Sequence, residues 1–132
     1  MSLILIVEDN DKNMKLVRDV LQAKGYATVE AGTGEDGVRL ALERGPDLVL
    51  MDIQLPGISG IEALHRLREN PATASIPVIA VTASVMLQDR KLITEAGFDG
   101  YIGKPIALRE FLAAVATTLA RGPRRSAPGG PR

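Results

Sequence analysis

No cysteine occurs in the 132 residues, there is no tryptophan, and His65 is the single histidine. The first absence excludes disulfides, thiolate metal sites and a cysteine nucleophile. One histidine rules out a multi-histidine zinc centre and leaves any Ser-His-Asp arrangement dependent on His65. Aromatic residues make up only 3% of the chain, so a core has to be built from Leu, Ile, Val and Ala. Apolar runs reach about six residues, far short of the roughly 20 needed to span a bilayer. No basic segment precedes an apolar run at the N-terminus, as a signal peptide requires. A surplus of either charge is missing too: 16 Lys+Arg meet 16 Asp+Glu, for a formal net charge of zero. Nucleic-acid binders usually carry a basic surplus, so that class is disfavoured. The expectation is one cytoplasmic domain, large enough to bury a core of its own, with neither a membrane nor a nucleic acid as partner.

What is present is an alternating pattern. Leu3–Val7, Leu48–Met51 and 77–81 are short, wholly apolar runs, read as strands buried on both faces. Tyr26–Val29 and Asp99–Ile102 are weaker strands, expected toward the sheet edges. Helical spacing lies between them: Met14, Val17 and Leu21; Ile61, Leu64 and Leu67; Leu108, Phe111, Leu112, Val115 and Leu119. Ser59 with Glu62 fits a capping box after the Pro56-Gly57 turn, and Thr33 with Asp36 is a looser version. Gly25, Gly45 and Gly97 fall where helices should end. Five β-α units with long crossovers predict a doubly wound α/β fold, a parallel sheet covered by helices on both faces. Residues 1–121 are expected to form that domain. Residues 122–132 hold three Gly, three Pro and three Arg with no large apolar side chain, and read as a disordered tail or the start of a linker.

In such a sheet, ligands bind at the carboxyl ends of the strands. Glu8 and Asp9 follow the first strand, Asp52 ends the third, Thr82 ends the fourth and Lys104 follows the fifth. Three carboxylates about 5 Å apart repel by roughly 3 kcal/mol per pair at an effective dielectric near 20. A cation is needed to offset that, and an all-oxygen site favours Mg²⁺ or Mn²⁺. The plainer alternative is that these acids cap helices or face solvent. His65 is read as a surface residue, and Met14 and Met86 as packing or docking positions rather than ligands.

Together, Val7-Glu8-Asp9-Asn10, Met51-Asp52-Ile53-Gln54-Leu55-Pro56, Gly60, Val81-Thr82-Ala83 and Lys104-Pro105 resemble a response-regulator receiver domain, in order and in separation. The resemblance covers residues 3 to 120 and is greatest to DivK-type single-domain regulators. It implies a flavodoxin-like, CheY-like sheet of strand order 2-1-3-4-5. It implies a nucleophilic Asp52 that accepts a phosphoryl group from a histidine kinase or histidine phosphotransfer protein. Asp9, Asp52 and the Gln54 backbone carbonyl would ligate Mg²⁺, with Glu8 acting through a water. Lys104, the Thr82 hydroxyl and the Ala83 backbone N–H would hold the phosphoryl oxygens, and Pro105 would follow a cis bond. Thr82 and Tyr101 would form a switch that reshapes the face of helix 4, strand 5 and helix 5 for downstream protein targets. Gln54 and Ser84 would tune the lifetime of the phosphate. Such a chain is a signalling protein, monomeric or weakly dimeric, whose own chemistry is limited to gaining and losing phosphate at Asp52.

Glu8 stands where the family often has Asp, and Ala107 offers no side-chain cap to the last helix. An aspartate-nucleophile phosphohydrolase would need a second Asp two residues after Asp52, where Gln54 stands. A flavin carrier would need a phosphate-cradling loop where Glu8-Asp9-Asn10-Asp11 stands. A receiver module cut from a longer regulator with a C-terminal output domain is the other reading of the tail.

Overall fold

The computed structural model describes residues 2–83 and 87–123, with the backbone alone for 87–90. Five strands, β1 (Leu3–Val7), β2 (Ala27–Ala31), β3 (Leu48–Asp52), β4 (Val78–Thr82) and β5 (Gly100–Gly103), alternate with five helices. The helices are α1 (Asp11–Ala23), α2 (Gly34–Arg44), α3 (Gly60–Glu69), α4 (Leu87–Ala96) and α5 (Leu108–Arg121). All neighbouring strands run parallel, in the order β2-β1-β3-β4-β5. The weaker strands are the two edges, as expected.

Alternation along each strand explains why the central runs are apolar throughout. Leu5, Val7, Val49, Met51, Val78 and Ala80 pack on one face with Ala63, Leu64 and Leu67 of α3 and Ile93 of α4. Ile4, Ile6, Leu48, Leu50, Ile79 and Val81 pack on the other with Met14, Val17 and Leu21 of α1 and Phe111 and Val115 of α5. A strand between two helical layers has no solvent side, so neither set of side chains can be polar.

β1 lies where expected, while the ends of the other strands that move do so by one or two residues toward the carboxyl end. Hydrophobicity marks burial, whereas hydrogen bonds mark the ladder. β4 begins at Val78, whose N–H donates to Asp99 Oδ2 at 2.8 Å, and Pro77 has no N–H to give. Of the α5 stripe, Phe111 and Val115 are buried and Leu112 and Leu119 half-buried, but Leu108, in the opening turn, stays 43% exposed. Ser59 Oγ accepts from the Glu62 N–H at 3.1 Å, as a capping box requires, while the Glu62 carboxylate meets Arg66 at 3.3 Å. The Thr33 cap forms as expected, and Ala107 makes no side-chain cap bond. Met14 is buried, His65 is exposed, and Ser84 and Met86 lie outside the described residues.

One clamp has no counterpart in the sequence reading. The Arg68 guanidinium, at the end of α3, donates to the carbonyls of Ala74, Ile76 and Gly97 and to Asp99 Oδ2 at 2.7–3.3 Å. It ties α3 to the entries of β4 and β5, at the end of the sheet remote from Asp52.

Candidate functional site

At the carboxyl edge of the sheet, β1 runs into Glu8 and Asp9, and β3 ends on Asp52. The Glu8 N–H donates to the Ala31 carbonyl at 3.0 Å, extending the β1–β2 ladder by one bond. Asn10 turns the chain into α1: its N–H donates to Glu8 Oε2 at 3.1 Å, and its side chain caps the helix by accepting from the Asn13 N–H at 3.0 Å. That capping Asn carries the usual signal of an N-terminal cap ahead of a periodic stretch, and the sequence reading missed it. Asp52 Oδ1 accepts from the Gln54 N–H at 3.0 Å, which starts the turn toward α3.

Lys104 enters from the other side. Its N–H donates to the Thr82 carbonyl at 2.8 Å, and the peptide bond to Pro105 is cis. Its ammonium lies 2.9 Å from Asp52 Oδ2 and 3.0 Å from Glu8 Oε1. Glu8 and Asp52 are buried, Asp9 is exposed, and carboxylate oxygens of the three come within 4.8 Å of one another. The structure thus brings together Glu8, Asp9, Asp52 and Lys104. Thr82, buried, is one place beyond Val81, the β4 partner of Asp52. Ala83 follows it and is exposed. Gln54 faces solvent, so its backbone rather than its side chain is tied into the site. Tyr101 lies apart, on edge strand β5 opposite Ala80, and is 38% exposed.

The electrostatics are those of an incomplete neutralisation. Burial raises the Glu8 carboxyl above its ordinary range; the Lys104 ammonium and the Asn10 N–H oppose that without cancelling it. Burial alone would lower Lys104, but Asp52 and Glu8 outweigh it and hold the ammonium above the ordinary lysine range. Among the described residues, the Lys104 ammonium meets two of the three carboxylates, all the donors are oxygen, and one acid opens to solvent. That donor set fits a hard divalent ion such as Mg²⁺.

A pH dependence follows. Folded Glu8 keeps its proton to a higher pH than the unfolded chain, whose ordinary value is 4.5. Across the window above that value the folded state binds more protons, so stability falls as pH rises. In metal-free buffer, the melting temperature of Glu8→Gln relative to wild type is expected to shift in the variant's favour as pH rises through this window. A constant difference would refute the assignment.

The response regulator receiver domain family matches residues 4–116. The polar-differentiation response regulator DivK of Brucella ovis is 45% identical over 116 residues, covering 88% of this chain and 94% of that protein. DivK of Brucella anthropi gives the same figures. Among solved structures, a putative response regulator from Chloroflexus aurantiacus superposes with a TM-score of 0.87 at 32% identity, over 91% of this chain and 98% of its own. The receiver domain of a sensor histidine kinase from Pseudomonas aeruginosa, with a magnesium ion coordinated in its active-site cleft, gives 0.84 at 30% identity, over 90% and 98%. A doubly wound sheet of order 2-1-3-4-5, an acidic edge facing one lysine, and these likenesses converge on one family. This chain belongs to the response-regulator receiver domains, CheY-like in fold and homologous to the single-domain regulator DivK.

Proposed function

We propose that the chain is a phosphorylation switch, in which Asp52 accepts a phosphoryl group from a phosphohistidine on a kinase or phosphotransfer protein. The observation that carries this is Asp52 itself. It is a buried carboxylate with one oxygen fixed by the Gln54 N–H and the other held by Lys104, next to two further acids. As an Asp52 oxygen bonds to phosphorus, the P–N bond of the donor breaks and its electron pair returns to the imidazole. Lys104, already on Asp52, is placed to follow the phosphoryl oxygens, and the Thr82 hydroxyl and Ala83 N–H supply neutral donors at the neighbouring strand end. Phosphoryl transfer mostly needs groups positioned and charge neutralised, which this residue set can do.

The carboxylates of Asp9 and Asp52 and the Gln54 carbonyl would hold Mg²⁺ directly. Glu8 would act through a water, in keeping with both its oxygens already accepting bonds. When bound, Mg²⁺ supplies positive charge to the acids and to the phosphoryl oxygens. Loss of the Thr82 hydroxyl from its resting place, followed by inward movement of the exposed Tyr101, would carry the signal to the α4-β5-α5 face and to downstream proteins. A shift from 1% to 99% active needs a bias of about 5.5 kcal/mol, and two added charges in a metal site are of that order. Residues 1–121 would be the switch, and 122–132 a tail or the start of a linker. We place the chain in the cytoplasm as a monomer or weak dimer; among the described residues no helix is long and apolar enough to cross a membrane.

Incubation with acetyl phosphate and Mg²⁺ is expected to add one phosphoryl group, located on Asp52 by mass spectrometry, and chelation by EDTA is expected to prevent it. Steady turnover of a phosphate ester would instead revive a phosphohydrolase. Lys104 gives a second test. Lys104→Ala leaves two buried carboxylates without their cation, and is expected to destabilise the metal-free protein by roughly 3 kcal/mol. Urea denaturation with and without Mg²⁺ is expected to show the ion stabilising this variant more than wild type.

A further inference from the structure

The first turn of α2 touches the end of β1 and the β3–α3 loop, although none of its residues belongs to the site. Gly37 lies against Val7, the residue before Glu8: a Cβ there would come within 2.8 Å of Val7 Cγ2. Gly34 lies under Ile58, where a Cβ would come within 2.7 Å of Ile58 Cγ1 and 3.0 Å of the Ile58 carbonyl oxygen. Between them, the exposed Glu35 reaches across to the β3–α3 loop. Its Oε2 accepts from the Ile58 N–H at 3.4 Å, a long bond. The same carboxylate covers Gly57, where φ is +76° and a Cβ would fall 2.6 Å from Oε2. Three consecutive contacts therefore seat residues 57 and 58 on Gly34 and Glu35.

From this geometry we infer that Glu35 is a positioning residue for the metal site, acting through the loop that bears the Gln54 carbonyl. The inference rests on the function proposed above. The loop is held elsewhere by the packing of Leu55 and Ile58 against the core and by bonds near its ends. Asp52 Oδ1 holds the Gln54 N–H, and the Gly60 N–H donates to the Ile53 carbonyl at 2.9 Å. A main-chain ligand has no rotamer of its own, so its placement is that of its loop. Fixing 57 and 58 limits how far the loop that bears the Gln54 carbonyl can shift relative to Asp52. Groups that orient ligands in this way change affinity by about 10- to 100-fold when lost. A carboxylate in the first turn of a helix is also a common helix-stabilising device, and the two roles separate experimentally. Gln at position 35 keeps an oxygen for the Ile58 N–H and gives up the charge; Ala gives up both.

The test is Mg²⁺ titration by calorimetry on the full chain, beside the Mg²⁺ dependence of acetyl phosphate labelling. Glu35→Ala is expected to weaken Mg²⁺ about tenfold, raising the half-saturating Mg²⁺ while leaving the labelling rate at saturation unchanged. Glu35→Gln is expected to restore affinity to within about twofold, because the Ile58 bond survives. Gly34→Ala, which pushes Ile58 outward, is expected to weaken Mg²⁺ in the same direction as Glu35→Ala. Unchanged affinity in Glu35→Ala overturns the inference alone. So does an equal loss in Glu35→Gln, which would assign the effect to charge. A wild-type protein that binds no Mg²⁺ overturns the functional reading beneath it and this inference with it.

Discussion

Asp52→Asn is expected to take up no phosphoryl group from acetyl phosphate under conditions that label the wild type, its rate falling at least about a thousandfold, as for loss of a covalent nucleophile. The amide is neutral and a poor nucleophile. It also replaces one of two acceptor oxygens with a donor, and both acceptors are in use, one by the Gln54 N–H and one by the Lys104 ammonium. Neither neighbouring acid is an equivalent substitute: Glu8 shares Lys104 but lacks the Gln54 N–H that fixes Asp52, and Asp9 is exposed. The fold should survive, because removing one of two close buried carboxylates relieves repulsion as it weakens the Lys104 pair. Intact-protein mass spectrometry reads the label, and circular dichroism checks the fold. Labelling of the variant at the wild-type rate would remove Asp52 from the mechanism.

Gly60→Ala is expected to cost about 3 kcal/mol, near the upper end for overpacking, and to lower the melting temperature by roughly 10 °C in a domain of this size. The cause is a backbone collision. A Cβ on Gly60 would fall within 2.2 Å of the Asp52 carbonyl oxygen and 2.9 Å of Ile53 Cα. Backbone atoms at the end of a fully buried strand cannot rotate away as a side chain can, so α3 or the end of β3 has to move. Either movement displaces Asp52, and labelling should drop alongside stability. Gly32→Ala is the matched control: its Cβ would meet nothing within 4 Å. Calorimetry of the two variants separates the steric effect from the general cost of changing a glycine, and similar melting points would dismiss the collision.

Apolar runs and helical spacing carry most of the fold because both are consequences of burial, and burial is what a sequence records best. The central strands lie between two helical layers, so their composition alone announces them. The residues at their ends are harder to read. Thr82 and Gly103 join the ladder through main-chain bonds that any residue can make. Glu8, Asp9, Asp52 and Lys104 were legible because charged groups directly after buried strands need a reason to be there. The contact of Lys104 with both Glu8 and Asp52 was not, since it depends on side-chain reach across three strands. Arg68 was silent for a related reason. Its partners are chiefly backbone carbonyls, which leave no mark on residue identity. Glu35 looked like an ordinary acid in a first helical turn, and only the fold shows which loop lies beneath it.

The Arg68 clamp has a mechanical consequence. It fastens the start of β4, the start of β5 and the end of α3 to a single rigid guanidinium, while the opposite ends of the same strands carry Thr82 and Lys104. A sheet fixed at one end and loaded at the other deflects as a cantilever does, most at the free end and least at the root. In the proposed switch, charge added at Asp52 would act at the ends of β4 and β5 remote from that anchor. Three of the four bonds in that anchor go to backbone carbonyls, so its hold depends on the main chain more than on neighbouring side chains.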